Sequence, residues 1–149
     1  MVIFEQIFRD LLISTNVAAD RVFLHRAPQV PAEKQANPFI VFFPVGPESW
    51  HSHSGPLAFQ DRVYQVSIFD PGQTLALSIG DTIRAALDGL RTTYEGVIFH
   101  GVFFQTQAIG WEPDTKLHHV SLDFRIQFRM TADAQPQPRK PANTRINTR

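Results

Sequence analysis

The clearest pattern in the chain is a strict alternation of apolar and polar residues over positions 117–130. The apolar set consists of Val120, Leu122, Phe124, Ile126, Phe128 and Met130. Because successive side chains of a β-strand point to opposite faces of a sheet, this pattern predicts a half-buried strand. The preceding segment, 97–109, is also predicted to be a strand, in which Gly101 marks either a bulge or a close approach of another backbone. A predicted turn at 110–114 joins the two segments into an antiparallel hairpin.

Three more strands are predicted upstream of this hairpin. Residues 62–69 alternate, whereas residues 39–43 are apolar at every position, which is typical of a central strand covered on both faces. Residues 21–26 form a short strand that ends before a proline-rich stretch, since proline cannot donate to a sheet ladder. Residues 44–60 contain three prolines and two glycines and are predicted to be a loop. At roughly 17 residues this loop is longer than most connections within a domain.

Helical spacing occurs in two places. Residues 2–12 carry apolar side chains three and four positions apart, which predicts an amphipathic helix. After a turn at 70–72, Thr74 is the predicted N-cap of a second helix that runs to about Leu90. Its predicted apolar stripe is Leu75, Ile79, Ile83, Leu87 and Leu90. This helix could return the chain across the sheet and so make the sheet mixed.

These elements predict an α+β fold, with a mixed, largely antiparallel sheet of about five strands and two helices packed on one face. Residues 131–149 have three prolines, four Lys or Arg and few apolar side chains, which predicts an extended C-terminal arm. The chain is therefore predicted to divide into an α+β domain over 1–130 and a basic, Pro-rich arm over 131–149.

The composition narrows the range of functions. Cysteine is absent from the 149 residues, which excludes disulfides, thiol catalysis and Cys-type zinc sites. Thirteen Phe accompany only two Tyr and two Trp, so the chain needs a dense core or a large contact with other subunits. No apolar run approaches the ~20 residues that span a bilayer, so we expect neither a transmembrane helix nor a membrane partner.

Charge is unevenly distributed although the formal net charge is +0. Up to Met130 there are ten Lys or Arg against thirteen Asp or Glu, a balance of −3, and the arm has four against one, a balance of +3. Nucleic-acid-binding modules usually concentrate positive charge on a folded face, and this domain has none in excess. The charge pattern therefore disfavours a sequence-reading DNA module.

Two groups of histidines are candidate metal ligands. His51 and His53 alternate along the sequence and could face one side of an extended segment, as ligands of Zn²⁺ or Ni²⁺ do. His118 and His119 are adjacent, so on a strand they point to opposite faces and cannot chelate one ion together. Histidines in a loop rich in Pro and Gly are more often solvated or contact residues, so no metal site and no cofactor are assigned. A metal-binding module or enzyme that uses His51 and His53 stays open as an alternative.

The sequence contains no recognisable catalytic motif. Ser52 and Ser54 lie beside histidines, but no G-x-S-x-G elbow and no placed carboxylate completes a triad. Neither of the glycine motifs that bind phosphate occurs. We therefore expect no catalytic residues and a protein that is not an enzyme.

The remaining candidates are contact residues. Three aromatic residues lie in or beside predicted loops: Trp50, Phe59 and Trp111. An aromatic side chain in a loop either fills its own core or anchors a partner. Asp123, Arg125 and Arg129 form a charged stripe on the polar face of the last strand. Such a stripe is either a solvated sheet face or a surface between subunits, where alternating charges fix register and partner choice.

The ordered set of segments resembles the tail-terminator, or tail completion, proteins of long-tailed bacteriophages and of related tail-like particles such as gene transfer agents. The matching segments are the N-terminal amphipathic helix, a short strand ending in Ala27-Pro28-Gln29, the strands at 38–42 and 62–69, an Ala-, Ile- and Leu-rich helix, and the closing strand at 119–125. The resemblance covers about residues 1–130. The loop at 44–60 is elaborated, and the arm lies outside the shared pattern.

The resemblance implies a structural role in the virion, with assembly in the host cytoplasm. Proteins of this family form a hexameric ring that caps the head-proximal end of the tail tube, stops tube polymerisation and provides a docking surface for the head connector. Genome DNA passes through the lumen of the ring. The partners implied are further copies of this chain, the major tail tube protein and a head-tail connector or stopper protein, without sequence-specific DNA binding.

Within such a ring, the candidate residues are expected to have different contacts. The loop with Trp50, His51 and His53 is expected to touch neighbouring rings, and the polar face of the last strand together with the first helix to form the seam between subunits. The arm with Arg139 and Lys140 is expected either to bind an acidic surface of an adjacent subunit or to be a solvated tail. Another role in the neck, as a stopper or head-tail adaptor, stays open as an alternative.

Overall fold

The computed structural model describes residues 4–28, 36–45 and 59–130, which form six strands and two helices. The helices are α1 (Phe4–Ile13) and α2 (Gln73–Leu87), and the strands are β1 (Val22–Leu24), β2 (Phe39–Val45), β3 (Gln60–Asp70), β4 (Thr92–Tyr94), β5 (Val97–Glu112) and β6 (Leu117–Met130). The α+β class is confirmed. The sheet has one strand more than predicted, because β4 has three residues and is too short to show periodicity.

The strands form a single sheet in the order β1-β2-β3-β6-β5-β4. β1 pairs in parallel with β2, and every other neighbouring pair is antiparallel, including the predicted β5–β6 hairpin. The sheet is therefore mixed and largely antiparallel, as predicted. The parallel pair that makes the sheet mixed is β1–β2, at one edge. It does not arise from α2, which connects β3 to β4 at the opposite edge.

Both helices pack on one face of the sheet, where they share the main core with alternate residues of the strands. The ring of Phe4 in α1 stacks on Phe128 of β6 with 3.8 Å between centroids, and Phe8 meets Phe42 of β2 at 5.5 Å. In α2, Gly80 permits a close approach, since an added Cβ would lie 3.3 Å from Val120 Cγ1. Burial of these apolar side chains is the main stabilising contribution to the domain.

A polar contact fixes α1 on the sheet. The Tyr64 hydroxyl, buried in β3, donates a hydrogen bond to Glu5 Oε2 over 2.6 Å and accepts one from Arg62 Nη1 over 3.0 Å. Arg62 and Glu5 also form an ion pair at 3.4 Å. Burial, followed by the adjacent Glu5 carboxylate, raises the pKa of Tyr64 well above its ordinary value. The hydroxyl therefore stays protonated and holds α1 to β3.

The predicted core strands are confirmed in detail. The bounds of β6 match the prediction, and its apolar set faces the helices. β5 has register shifts after Phe99 and after Phe104, which confirms a bulge next to Gly101. In β2, Ile40 is fully buried on the helix side and Val41 is only 7% exposed on the other side, so this strand is covered on both faces.

Two predicted loop and turn boundaries are wrong. Pro44 lies inside β2, so the loop begins later than predicted and ends before β3. Proline is tolerated there because β1 ends opposite Phe42, and beyond that point β3 is the only described strand that pairs with β2. Gly110 and Trp111 belong to β5, which continues to Glu112 before the chain turns. Glycine and proline do not end a strand where a neighbouring strand keeps pairing with it.

Helix α2 differs from its prediction at both ends. Its N-cap is Gly72 rather than Thr74, and no side chain forms the cap hydrogen bond. The helix ends at Leu87 rather than Leu90, because the next residue already has an extended backbone. Leu75 was predicted to belong to the apolar stripe, but it is exposed and lies outside the buried stripe. The buried stripe is Ala76, Ile79, Gly80, Ile83 and Leu87. Neither described helix is long and apolar enough to cross a membrane.

Candidate functional site

The predicted charged stripe lies on the face of the sheet opposite α1 and α2, which we call the helix-free face. Asp123, Arg125 and Arg129 point to it because the alternate residues of β6 point into the core. Arg125 donates two hydrogen bonds to Asp61 of β3, from Nε over 2.9 Å and from Nη2 over 2.6 Å. This hydrogen bonding, followed by the charge of Asp61, raises the pKa of Arg125. The Arg125 side chain is 49% exposed, so solvent screens the pair and its outer surface stays accessible.

Asp123 is the acidic member of the stripe. In the strand register it lies between Gln65 of β3 and Thr106 of β5, and it is half-buried. Partial burial raises the pKa of its carboxyl. Among the described residues no Lys or Arg forms an ion pair with Asp123. A cation from another chain would therefore find this carboxylate uncompensated.

Beside the stripe, the helix-free face carries an apolar hollow of about 750 Å³, which the sequence analysis did not identify. Its apolar floor consists of Phe39, Val41, Phe43, Phe69 and Leu117. The rings of Phe39 and Phe69 stack with 4.9 Å between their centroids, and Arg26 and Lys116 line the rim. The apolar run of β2 could have predicted apolar surface on the helix-free face, because every second residue of that strand must lie on this face.

Phe59 and Trp111 are both on the surface, with exposed fractions of 46% and 51%. The Phe59 ring lies before β3, 5.4 Å from the ring of His100. The Trp111 ring lies near the end of β5, 6.3 Å from the ring of His118. Neither aromatic side chain fills the core, so both are available for contact with a partner.

β5 is covered along only part of its outer side. β4 pairs with the start of β5, and the connection after α2 covers the next stretch. There, the Gly89 N–H donates to the Val102 carbonyl over 2.7 Å, and the Phe104 N–H donates to Asp88 Oδ1 over 3.0 Å. Over residues 105–112, no strand of the described chain pairs with this side of β5. We call this segment the open edge of β5.

At the opposite edge of the sheet, the outward-facing carbonyls of β1 already accept hydrogen bonds. Arg9 of α1 donates from Nε to the Val22 carbonyl over 2.7 Å and from Nη2 to the Asp20 carbonyl over 3.1 Å. The Arg26 N–H donates to the Leu24 carbonyl over 2.9 Å. These two carbonyls of β1 point away from β2, and both already have donors, so β1 cannot offer them to another strand. Among the described residues, the β1 edge therefore has its outward carbonyls occupied, whereas the β5 edge is open over residues 105–112.

Several predicted contact residues lie outside the described residues. They are Trp50, His51 and His53 of the loop, and Arg139 and Lys140 of the arm. Their contacts stay predictions. Among the described residues, no three His, Asp or Glu side chains lie close enough together to hold a metal ion. His118 and His119 occupy adjacent register positions opposite Trp111 and Gly110, so they lie on opposite faces of the sheet.

The described surface is suited to contact with other proteins. It has a charged stripe, an apolar hollow and unpaired backbone groups at one sheet edge, and surfaces of these three kinds bind proteins through ion pairs, apolar burial and strand addition.

Comparison with known proteins identifies the family. The model of the family "Tail completion protein gp17" matches residues 3–129. A solved chain from "Virion of native gene transfer agent (GTA) particle" shares the fold at a TM-score of 0.56, with 17% identity over 86% of this chain and 92% of that chain. A second solved chain aligns at a TM-score of 0.46, with 18% identity over 84% of this chain and 91% of its own. No curated protein sequence matches. The resemblance drawn from the sequence is confirmed, and the chain belongs to the tail completion protein gp17 family.

Proposed function

We propose that this protein is a tail terminator, a ring of identical subunits that caps the head-proximal end of a phage-type tail tube, stops tube polymerisation and provides the docking surface for the head connector. Family membership makes it a structural protein of a virion tail. The observation that best supports the finer role is the helix-free face, where the described residues present a partly exposed charged stripe beside an apolar hollow with a polar rim. Protein contact sites typically combine an apolar centre with a polar rim.

In the proposed ring, the subunits meet through the helix-free face and α1. A head-to-tail contact between two different patches closes into a ring when the rotation between neighbours completes a full turn. Asp123, Arg125 and Arg129 would fix the register of this seam through charge pairing. The hollow would supply apolar area at the centre of the contact, where stable interfaces are least polar.

Capping requires the two sides of the ring to differ. One side must match the end of the tube, and the other must lack the surface that a further ring of tube protein needs. The loop that carries Trp50, His51 and His53 is the segment we assign to contacts with neighbouring rings. Its length and its aromatic and histidine side chains suit an anchor that reaches a separate ring.

Passage of DNA through the lumen agrees with the charge of the domain. Up to Met130 the balance is −3, so six copies, the number that the resemblance implies, would carry about −18. Phosphates that slide past such a surface are repelled rather than retained. The absence of a positive balance in the domain thus supports a conduit over a DNA-binding role.

Electron microscopy of the purified protein mixed with isolated tails, together with its mass by light scattering, tests this proposal. We expect rings that bind one end of severed tails and prevent further addition of tube protein. Binding to DNA-filled heads instead of tails would identify a stopper or adaptor. A protein that stays monomeric at every concentration and ignores tail ends would refute the ring.

A further inference from the structure

The open edge of β5 is the part of the described structure that most clearly lacks a partner. Two of its large apolar side chains are exposed, Ile109 at 50% and Trp111 at 51%, and Phe103, just before it on β5, is 43% exposed. Residues 105–112 contain neither Lys nor Pro, the residues that commonly protect a strand edge from pairing. Most residues of this segment are exposed whichever face of the sheet they occupy. Such an edge accepts an additional strand.

The backbone of the open edge is oriented for pairing. Val102 and Phe104 bond to the connection after α2, so their backbone groups point away from β6. On β6, Val102 and Phe104 pair with two residues that are two positions apart, Ile126 and Phe124. The next two residues of β6 at this spacing pair with Gln107 and Ile109. Gln107 and Ile109 therefore also present their N–H and C=O groups to the outside.

We propose that residues 142–149 of a neighbouring copy of this chain add as an antiparallel strand to the open edge of β5. The proposal rests on the proposed ring and deepens it, because it names the segment that links one subunit to the next. The added strand extends the sheet order beyond β5 and supplies hydrogen-bond partners for the exposed backbone groups.

The sequence of this segment has the pattern of a half-buried strand. It follows the last proline, Pro141, and reads Ala-Asn-Thr-Arg-Ile-Asn-Thr-Arg. One set of alternate residues is Ala142, Thr144, Ile146 and Thr148, and the other is Asn143, Arg145, Asn147 and Arg149. Thr and Ile favour strands because their branched side chains pack well on a pleated surface. The first set suits contact with Ile109 and Trp111, and the second suits the charged helix-free face.

Charge complementarity supports the same pairing. The arm has a balance of +3, whereas residues 105–115 contain two acids and no Lys or Arg. On the helix-free face, the side chain of Thr106 separates the open edge from Asp123. An Arg of the added strand can reach across the short Thr106 side chain to Asp123, which has no cation partner among the described residues.

For an antiparallel strand, the reach of the arm requires a second copy. Met130 pairs with Val97, at the end of β5 opposite to Glu112. An antiparallel strand must begin near Glu112, roughly 50 Å from Met130 at ~3.3 Å per residue. The eleven residues 131–141 extend over at most about 40 Å, so the arm of the same chain falls short. The described β1 edge of a neighbour is a poorer occupant, because its Val22 and Leu24 carbonyls already have donors.

Thiol cross-linking of the full chain tests the proposal, because the natural sequence has no cysteine. One protein preparation carries Ile146→Cys, and a second carries Gln107→Cys, Ile109→Cys or Trp111→Cys in turn. After mixing and mild oxidation, we expect a disulfide-linked dimer of the two proteins from at least one of the three positions. Its yield should exceed by ~10-fold that of a matched control with Leu75→Cys, which is exposed on α2.

The outcomes separate this inference from the proposed function. Cross-linking no better than the Leu75→Cys control, in a protein that still forms rings on tail ends, would overturn the inference and leave the function intact. A chain that carries both Ile146→Cys and Ile109→Cys should give dimers and larger species. If it closes only within one monomer, the neighbouring copy is excluded. Selective cross-linking in a protein that ignores tail ends would support the strand addition and refute the terminator role.

Discussion

At the scale of single residues, the buried Tyr64 hydroxyl shows how one polar group positions a helix. Its partners, Glu5 and Arg62, hold it from two elements, with Glu5 59 positions away along the chain. No local pattern reveals this contact, because the sequence shows only that Tyr64 lies in the apolar set of its strand. The alternation predicted its burial, and the structure adds the carboxylate that makes the burial tolerable.

Replacement of Tyr64 by Phe should lower the free energy of unfolding by about 1–2 kcal/mol, because the hydrogen bonds to Glu5 and from Arg62 are lost while the ring still fills its place. The pKa of Tyr64 in the folded protein lies above its ordinary value of 10.0. The unfolded chain therefore loses this proton first, and the stability that the shift contributes is present below pH 10 and declines as the pH rises further. Urea unfolding at pH 7 and above pH 10 measures both effects. An equal alkaline decline in Tyr64→Phe and the natural protein would contradict this assignment.

Two glycines of β5 should respond differently to an added methyl group. A Cβ at Gly110 would lie 2.5 Å from the ring of the half-buried His119, and one at Gly101 would lie 2.6 Å from the ring of the exposed Phe103. We expect Gly110→Ala to cost about 1–3 kcal/mol. Gly101→Ala should cost less, because the Phe103 ring can turn into solvent. Thermal unfolding of the two variants checks the order, and His119→Ala in the Gly110→Ala background should recover part of the loss.

At the scale of elements, predictability follows the length of the periodic pattern. β6 and α1 match their predictions because each has a long apolar side against a polar one. β4 has three residues, and its existence depends on β5 beside it, so no local signal predicts it. The start of α2 was misplaced because the Asp70 carboxylate accepts the Gly72 N–H over 2.8 Å, a local bond that stabilises the turn before the helix.

Charge reversal in the stripe should separate assembly from folding. Arg125→Glu breaks the contact with Asp61 and places two carboxylates together, but half of the Arg125 side chain is exposed and solvent screens the charges, so the free energy of unfolding should fall by only about 1 kcal/mol. Ring formation should require at least ~10-fold more protein if the stripe lies in the seam. Light scattering over a concentration series checks this, with Arg91→Glu as the matched control because Arg91 is exposed outside the stripe. Equal assembly of both variants would place the seam elsewhere.

At the scale of the whole molecule, the candidate surfaces depend on which strands become neighbours. The charged stripe was predictable, because a single strand carries it. The hollow was not, since its floor combines Phe39 of β2 with Leu117 of β6, on strands that meet only through β3 between them. The open edge was hidden for the same reason, because strand order decides which strand ends without a neighbour.

A chain that ends at Met130 should fold as stably as the full chain when both are monomeric. Among the described residues, the buried side chains of the main core lie between Phe4 and Phe128. The arm has few apolar side chains to add to such a core, so we expect removal of 131–149 to change the free energy of unfolding by less than about 0.5 kcal/mol. Urea unfolding in dilute solution measures this. A large loss would mean that the arm belongs to the core of its own domain, in conflict with the division at Met130.

The guanidinium of Arg9 across the β1 carbonyl has a consequence for unwanted association. If a sheet can pair with another chain at both of its edge strands, here called its margins, each added copy leaves a free margin for the next. Such a sheet can grow into a fibre. In the described part of this protein, the outward carbonyls of β1 already have donors, and two copies that meet through their β5 margins leave neither of these for a third. Stacking of whole sheets through the described margins is thereby limited to two copies.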